Sequence, residues 1–83
     1  MRYEVRLPSL GDEDDAVTGG TVTAWLANVG DTLPEDGDLL ELTTDKAAFV
    51  VPAPRAGRLV EQCAAADDEV HVGDLIAVLE TED

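Results

Sequence analysis

The sequence predicts an all-β domain, and three observations lead to that prediction. Short apolar stretches rich in β-branched residues alternate with glycine- and proline-containing turns along all 83 residues. No segment long enough to form a helix has apolar residues at helical spacing. The run of three alanines at 64–66 is too short to form a stable helix. The second half of the chain also repeats the first at the offset of 37 residues that separates Gly20 from Gly57. Two such halves are expected to close on each other as two sheets with approximate twofold symmetry.

The first half of the chain contains three predicted strands. Apolar and charged residues alternate over residues 3–7, as in a half-buried strand, and Pro8 ends the pattern. An acidic loop at 11–15 follows, with the sequence Gly-Asp-Glu-Asp-Asp. A glycine pair then opens a strand at 21–26, and two glycine-containing turns lead to a third strand at 39–42.

A β-hairpin is predicted over residues 42–49, with Asp45 and Lys46 at its tip. Threonines precede this polar pair and a Phe-Val-Val run follows it, so both flanks have strand preference. Beyond a Pro-Ala-Pro break, strand patterns return at 58–63, 70–72 and 75–79.

The repeat aligns turns as well as strands. The residues that it superposes are Val22 on Leu59, Leu26 on Cys63, Asp31 on Asp68, Leu33 on Val70, Leu39 on Ile76, Leu42 on Leu79 and Thr44 on Thr81. One position departs from it, because Asp36 stands where a strict repeat needs the counterpart of Gly73. Lys46 falls on Asp83, so only one half carries a lysine. The symmetry places the hairpin at one end of the domain and both chain termini near the other.

Length and charge exclude several classes of function. A chain of 83 residues forms one small core, so we expect a single domain without a large enclosed active site. Nineteen acidic and five basic residues give a net charge of -14, which argues against nucleic acid and anionic membranes and favours partners with basic patches. The sequence has no membrane-spanning run and no signal peptide, so the expected compartment is the cytoplasm.

Cys63 and His71 are each the only residue of their kind, so the chain can form neither an internal disulfide nor a Cys/His metal cluster. We expect Cys63 to pack in the core as a small apolar residue. The alternation of residues 70–72 directs the imidazole of His71 into water.

Lys46 is the only lysine in the chain, and the other four basic residues are arginines. A lysine amine becomes a nucleophile when it loses its proton, whereas a guanidinium stays charged and is not acylated. Its place at a hairpin tip therefore favours a covalent attachment site over the alternative, an ordinary exposed lysine.

Spaced motifs from Leu7 to about Leu79 resemble the lipoyl domains of 2-oxo acid dehydrogenase acyltransferases. They are Leu-Pro-Ser-Leu-Gly at 7–11, Gly-Thr-Val at 20–22 with Trp25, Val-Gly-Asp at 29–31, residues 41–47, Val-Pro-Ala-Pro at 51–54 with Gly57, and Val-His-Val-Gly at 70–73. The resemblance implies a flattened β-barrel of two four-stranded sheets with the modified lysine on an exposed hairpin.

The resemblance also implies the function of a carrier without catalysis of its own. Lys46 would carry lipoate in an amide bond, with Thr44, Asp45 and Ala47 as recognition neighbours. The carrier would take an acyl group from a thiamine-dependent 2-oxo acid decarboxylase, pass it to an acyltransferase catalytic domain and be reoxidised by dihydrolipoamide dehydrogenase. A lipoate ligase or an octanoyl/lipoyl transferase would load it.

In the family, the loop that here contains Asp12, Glu13, Asp14 and Asp15 helps the decarboxylase to select its carrier, so these residues are expected to serve partner recognition. Residues 1–83 would be the N-terminal carrier domain of a longer acyltransferase chain. Two alternatives stay open at this point, a biotin carrier and an unmodified adaptor module. Biotinyl domains usually place methionine on both sides of the lysine, and the only methionine here is Met1.

Overall fold

The computed structural model describes residues 1–9, 18–45 and 47–81. Eight strands lie in these ranges: β1 (Arg2–Arg6), β2 (Gly19–Trp25), β3 (Thr32–Leu33), β4 (Asp38–Thr43), β5 (Ala48–Pro52), β6 (Gly57–Gln62), β7 (Glu69–His71) and β8 (Leu75–Glu80). Within the same ranges, no helix has the length and apolar character needed to cross a membrane.

The strands form two antiparallel sheets of four. One has the order β5-β4-β2-β7 and carries the predicted lysine hairpin, so we call it the hairpin sheet. The other has the order β1-β8-β6-β3 and includes the strands nearest both chain ends, so we call it the terminal sheet. The predicted all-β architecture of two four-stranded sheets is confirmed.

The predicted twofold symmetry is visible in the strand order. Adding 37 to the residue numbers carries β2, β3 and β4 onto β6, β7 and β8, and β5 holds the place in its sheet that β1 holds in the other. The irregularities repeat too. The pairing of β2 with β4 shifts register between Val22 and Ala24, and that of β6 with β8 shifts between Leu59 and Glu61. Both halves therefore bend at the same β-bulge.

Left-handed backbone occurs at matching positions in the two halves. Gly30 has φ 99° and its counterpart Asp67 has φ 75°; Asp36 has φ 67° and its counterpart Gly73 has φ 94°. Aspartate tolerates this conformation better than most residues. The departure of Asp36 from the repeat therefore leaves the backbone conformation unchanged.

The core lies between the sheets and is aliphatic. Its largest fully buried side chains are Leu7, Val22, Leu39, Leu40, Leu42, Val51, Leu59, Ile76 and Leu79. The two halves are also joined by a reciprocal pair of hydrogen bonds. Trp25 Nε1 donates to the carbonyl oxygen of Ala64 at 2.9 Å, and its counterpart Gln62 donates from Nε2 to that of Ala27 at 3.1 Å. Since Ala27 and Ala64 are themselves counterparts, each half donates an equivalent hydrogen bond to the other.

Two expectations need correction. Strand β3 is absent from the prediction, because it has two residues and exists through its pairing with β6. Cys63 was expected in the core but is exposed, because the bulge between Leu59 and Glu61 reverses the alternation of faces and places Cys63 on the side of the exposed Glu61. Its counterpart Leu26 is likewise exposed. The prediction that the imidazole of His71 is exposed is confirmed, and Trp25 packs against the core.

Candidate functional site

The hairpin that contains the only lysine joins β4 to β5 at one end of the hairpin sheet. Leu42 pairs with Phe49 and Thr43 with Ala48, so the chain reverses direction within residues 44–47. Lys46 itself lies outside the described residues. The structure describes the residues on either side of it, which are Thr44 and Asp45 before the lysine and Ala47 after it.

Three hydrogen bonds join Thr44 to Ala47 across the hairpin. The amide of Thr44 donates to the carbonyl oxygen of Ala47 at 2.9 Å. The hydroxyl of Thr44 donates to the same oxygen at 2.9 Å and accepts the amide of Ala47 at 3.1 Å. We call this arrangement the Thr44 clamp. It fixes both residues that flank the Asp45-Lys46 pair, although both clamp residues lie near solvent.

Gly20 on β2 provides the surface against which Thr44 packs. A Cβ atom on Gly20 would lie 2.7 Å from the carbonyl oxygen of Thr43 and 3.0 Å from Cγ2 of Thr44, closer than such atoms approach. Glycine is therefore required for β2 to approach the hairpin. Because threonine is β-branched, contact at Cγ2 also restricts χ1 and orients the hydroxyl toward Ala47.

The symmetry repeats the clamp where the chain ends meet. Thr81 donates from its amide and its hydroxyl to the carbonyl oxygen of Met1, at 2.7 and 3.2 Å. Its Cγ2 would lie 3.3 Å from a Cβ on Gly57, the counterpart of Gly20. Neither role was predicted from the sequence, although the repeat aligns Gly20 with Gly57 and Thr44 with Thr81. That pairing was the available signal.

The four predicted site residues of the hairpin are contiguous, so the structure brings together those it describes. Asp45 and Ala47 are exposed, and Thr44 is half-buried. The predicted recognition residues Asp12, Glu13, Asp14 and Asp15 lie outside the described residues. The residues on either side of Lys46 are thus exposed at one end of the hairpin sheet, which suits attachment of a group that must reach other proteins.

Depressions lie near the hairpin and near the Thr81 clamp in the part of the chain that the structure describes. The nearest depression, of about 200 Å³, is lined by Thr18, Gly19, Gly20, Glu69 and His71. A larger cavity of about 440 Å³ lies beside Thr32, Gly57 and Thr81, around the other clamp. Among the described residues, no three His, Cys, Asp or Glu side chains converge as metal ligands would.

Cys63 does not supply a reactive thiolate. Desolvation raises the pKa of its thiol above the ordinary value, and the charges of Glu61 and Glu4 raise it further. A raised pKa keeps the sulfur protonated and weakly nucleophilic at neutral pH. Candidate attachment chemistry therefore rests on the lysine amine.

Comparison with known sequences identifies the family. The Biotin_lipoyl model, described as "Biotin-requiring enzyme", matches residues 3–79. The chain is 46% identical over 79 residues to the dihydrolipoyllysine-residue acetyltransferase component of the pyruvate dehydrogenase complex of Corynebacterium glutamicum. It is 40% identical over 80 residues to the succinyltransferase component of the 2-oxoglutarate dehydrogenase complex of Bartonella vinsonii. These matches cover 95% and 96% of this chain but 11% and 19% of the two relatives.

Solved structures share the fold. The lipoyl domain of the Azotobacter vinelandii 2-oxoglutarate dehydrogenase complex superposes with a TM-score of 0.69 at 24% identity, covering 94% of this chain and 95% of that one. The urea carboxylase of Kluyveromyces lactis superposes with a TM-score of 0.79 at 21% identity, over 96% of this chain and 6% of that one. With the family model matched over nearly the whole sequence and both sheets in place, this chain belongs to the biotin/lipoyl attachment family.

Proposed function

We propose that this chain is a lipoyl carrier domain and that lipoate is joined to Lys46 through an amide bond. The observation that carries the proposal is the Thr44 clamp, which holds an exposed turn around the only lysine of the sequence. The 46% identity to a dihydrolipoyllysine-residue acetyltransferase supports lipoate over biotin. The absence of methionine beside Lys46 supports the same choice.

The described residues fit such a group. Asp45 and Ala47 leave the turn open to solvent, so an arm attached between them could enter the active sites of other proteins. When bound, lipoate supplies a disulfide that takes up an acyl group together with two electrons and gives them up again. The chain contributes the clamp, which holds the root of the arm. Tethering replaces free diffusion of the carried group with encounters at high effective concentration.

The partners follow from this role. They are a lipoate ligase or an octanoyl/lipoyl transferase for loading, a thiamine-dependent 2-oxo acid decarboxylase, an acyltransferase catalytic domain and dihydrolipoamide dehydrogenase. The relatives support this assembly, since both are named as components of 2-oxo acid dehydrogenase complexes. In this proposal residues 1–83 act in the cytoplasm as one carrier domain of a longer acyltransferase chain.

Intact mass after incubation with lipoate, ATP and a lipoate ligase tests the attachment site. The wild-type chain should gain one lipoyl group, and Lys46→Arg should keep the fold and gain none, because guanidinium is not acylated. A double variant, Lys46→Ala with Ala47→Lys, moves the amine by one position and should be lipoylated poorly, since adjacent side chains point in different directions.

Each alternative has its own result in this assay. A mass gain in the Lys46→Arg variant would show that another group is modified. A gain of biotin in place of lipoate, in a parallel incubation with biotin and a biotin ligase, would make the chain a biotin carrier. No gain with either cofactor would support the adaptor module.

A further inference from the structure

The two sheets share one architecture but carry different charges. The strands of the terminal sheet contain three arginines and three glutamates, which balance: Arg2, Arg6, Arg58, Glu4, Glu61 and Glu80. The strands of the hairpin sheet contain no arginine or lysine and have three unbalanced carboxylates: Asp38, Glu41 and Glu69. The sheet that bears the lysine hairpin is therefore the negative one.

The symmetry allows these surfaces to be compared position by position. Arg2 and Arg58 lie on either side of Glu80 in the terminal sheet, and Arg58 approaches the Glu80 carboxylate to 3.5 Å. The equivalent row of the hairpin sheet is Ala48, Thr43 and Thr21. In this row, long ionic side chains lie on the terminal sheet and short uncharged ones on the hairpin sheet.

The edge strands β1 and β5 show the same contrast. They have the same alternation of exposed and buried positions. The exposed positions of β1 are Arg2, Glu4 and Arg6, whereas those of β5 are Ala48, Val50 and Pro52. Charged side chains on an edge strand protect it from association, and β5 has none. Val50 leaves 46% of its surface exposed, and β5 begins two residues after Lys46.

We propose that the exposed face of the hairpin sheet, with Val50 on its edge strand, is the surface on which the thiamine-dependent decarboxylase docks through a positively charged patch. This inference rests on the carrier function proposed above. The three unbalanced carboxylates attract a basic surface, and the arginines of the terminal sheet disfavour the opposite orientation. The exposed valine supplies apolar contact beside the turn that holds the arm.

The decarboxylase is the partner that gains most from a docking surface. The relatives that match this chain are themselves named acyltransferase components, and the matched region is a small part of each. A carrier domain and an acyltransferase within one polypeptide meet at high effective concentration without any docking affinity. A partner on a separate polypeptide, as the decarboxylase is in this proposal, must be found by diffusion, and surface charge raises the rate of that encounter.

The size of the face fits a brief contact. The strands of this sheet have seven, six, five and three residues, with a mean length of about 17 Å, and four strands span about 14 Å, so the face measures about 240 Å². A stable interface buries about 800 Å² on each partner, so this face together with the hairpin supports weak binding. Weak binding suits a carrier that must leave after each acyl transfer.

Two matched triple variants test the charge. Each removes three carboxylates and changes the net charge equally; one is Asp38→Asn, Glu41→Gln and Glu69→Gln on the hairpin sheet, the other Glu4→Gln, Glu61→Gln and Glu80→Gln on the terminal sheet. Both are first lipoylated and checked by intact mass, so a failure of the carrier function appears at that step. We expect kcat/KM for reductive acylation by the decarboxylase of a pyruvate dehydrogenase complex to fall about tenfold, at low salt, in the hairpin-sheet variant alone. Equal losses in both variants, or no loss in the hairpin-sheet variant, would overturn the proposal.

Val50→Ser tests the apolar contact, with Val29→Ser as its control because Val29 is also exposed but lies in the loop between β2 and β3. Only the first should raise KM. Amide NMR signals of the unlipoylated wild-type chain, recorded as the decarboxylase is added, give a reading that depends neither on variants nor on lipoate. Changes concentrated in β4 and β5 support the proposal, and changes concentrated in β6 and β8 contradict it.

Discussion

At the scale of single residues, Thr44 connects the fold to its function. Its hydroxyl both donates to and accepts from Ala47, and its methyl group packs against the backbone of Gly20. The same residue type recurs at Thr81, where the chain ends meet and the sequence carries no lysine. Thr81 therefore serves as a control for Thr44, because it makes similar hydrogen bonds away from the attachment site.

Thr44→Val keeps the β-branched shape and removes the hydroxyl. We expect a loss of about 1 kcal/mol in the free energy of unfolding. We also expect a roughly tenfold lower kcat/KM for lipoylation, because a 1 Å misplacement of a reacting group can cost as much or more. Thr81→Val should destabilise comparably and leave lipoylation unchanged, and Thr44→Ser should restore it. Initial rates by intact mass and urea unfolding provide the measurements; equal lipoylation of the two valine variants would exclude a positioning role.

At the scale of secondary-structure elements, the two halves are linked where β2 and β6 end. Trp25 and Gln62 are the last residues of those strands, and each donates to a backbone carbonyl of the other half. Ala27, which accepts from Gln62, is 1% exposed. A buried carbonyl that loses its donor costs free energy beyond the hydrogen bond itself.

Gln62→Met keeps the length of the side chain and removes the donor. We expect the free energy of unfolding to fall by about 1–2 kcal/mol, with an unchanged denaturant slope, as measured by urea titration. In Gln62→Asn the side chain is one methylene shorter and does not reach the carbonyl oxygen of Ala27. Its free energy of unfolding should therefore resemble that of the Met variant. An unchanged midpoint for Met would mean that water satisfies the carbonyl of Ala27.

At the scale of the whole molecule, charge opposes folding. The chain has 19 acidic and five basic residues, so repulsion outweighs attraction. The ion pairs between Arg6 and Glu4 and between Arg58 and Glu80 are exposed, at 3.4 and 3.5 Å. Exposed pairs contribute about 0–1 kcal/mol each, so salt removes little attraction when it screens them.

The melting temperature should therefore rise between 0.1 and 1 M sodium chloride, as the screening length falls from about 10 Å to about 3 Å. Differential scanning calorimetry measures the change. A variant that combines the six neutralised carboxylates of the two triple variants has less repulsion to screen, so its melting temperature should rise less. Salt also strengthens the burial of apolar groups, but that effect should be the same in both proteins. A flat or falling melting temperature in the wild type would refute net repulsion.

Local chemistry explains what could be predicted from the sequence alone. Alternation of apolar residues, the glycine and proline turns and the Thr-Asp-Lys-Ala tip act over a few residues, so they predict strands, turns and the hairpin directly. The repeat added the symmetry, because equal halves with the same pattern bury their faces in the same way. The candidate attachment site also follows from sequence, since only one lysine exists.

The tertiary structure decided the features that depend on residues distant in the chain. Strand β3 forms through its pairing with β6, and Cys63 is exposed because the bulge between Leu59 and Glu61, in the pairing of β6 with β8, reverses the faces of the residues that follow. The packing of Thr44 against Gly20 brings together residues that are distant in the sequence. The difference in charge between the two exposed faces appears only when the strands of each sheet are placed side by side. Each depends on strand register, which is set by pairing and burial across the whole sheet and which no local stretch of sequence specifies.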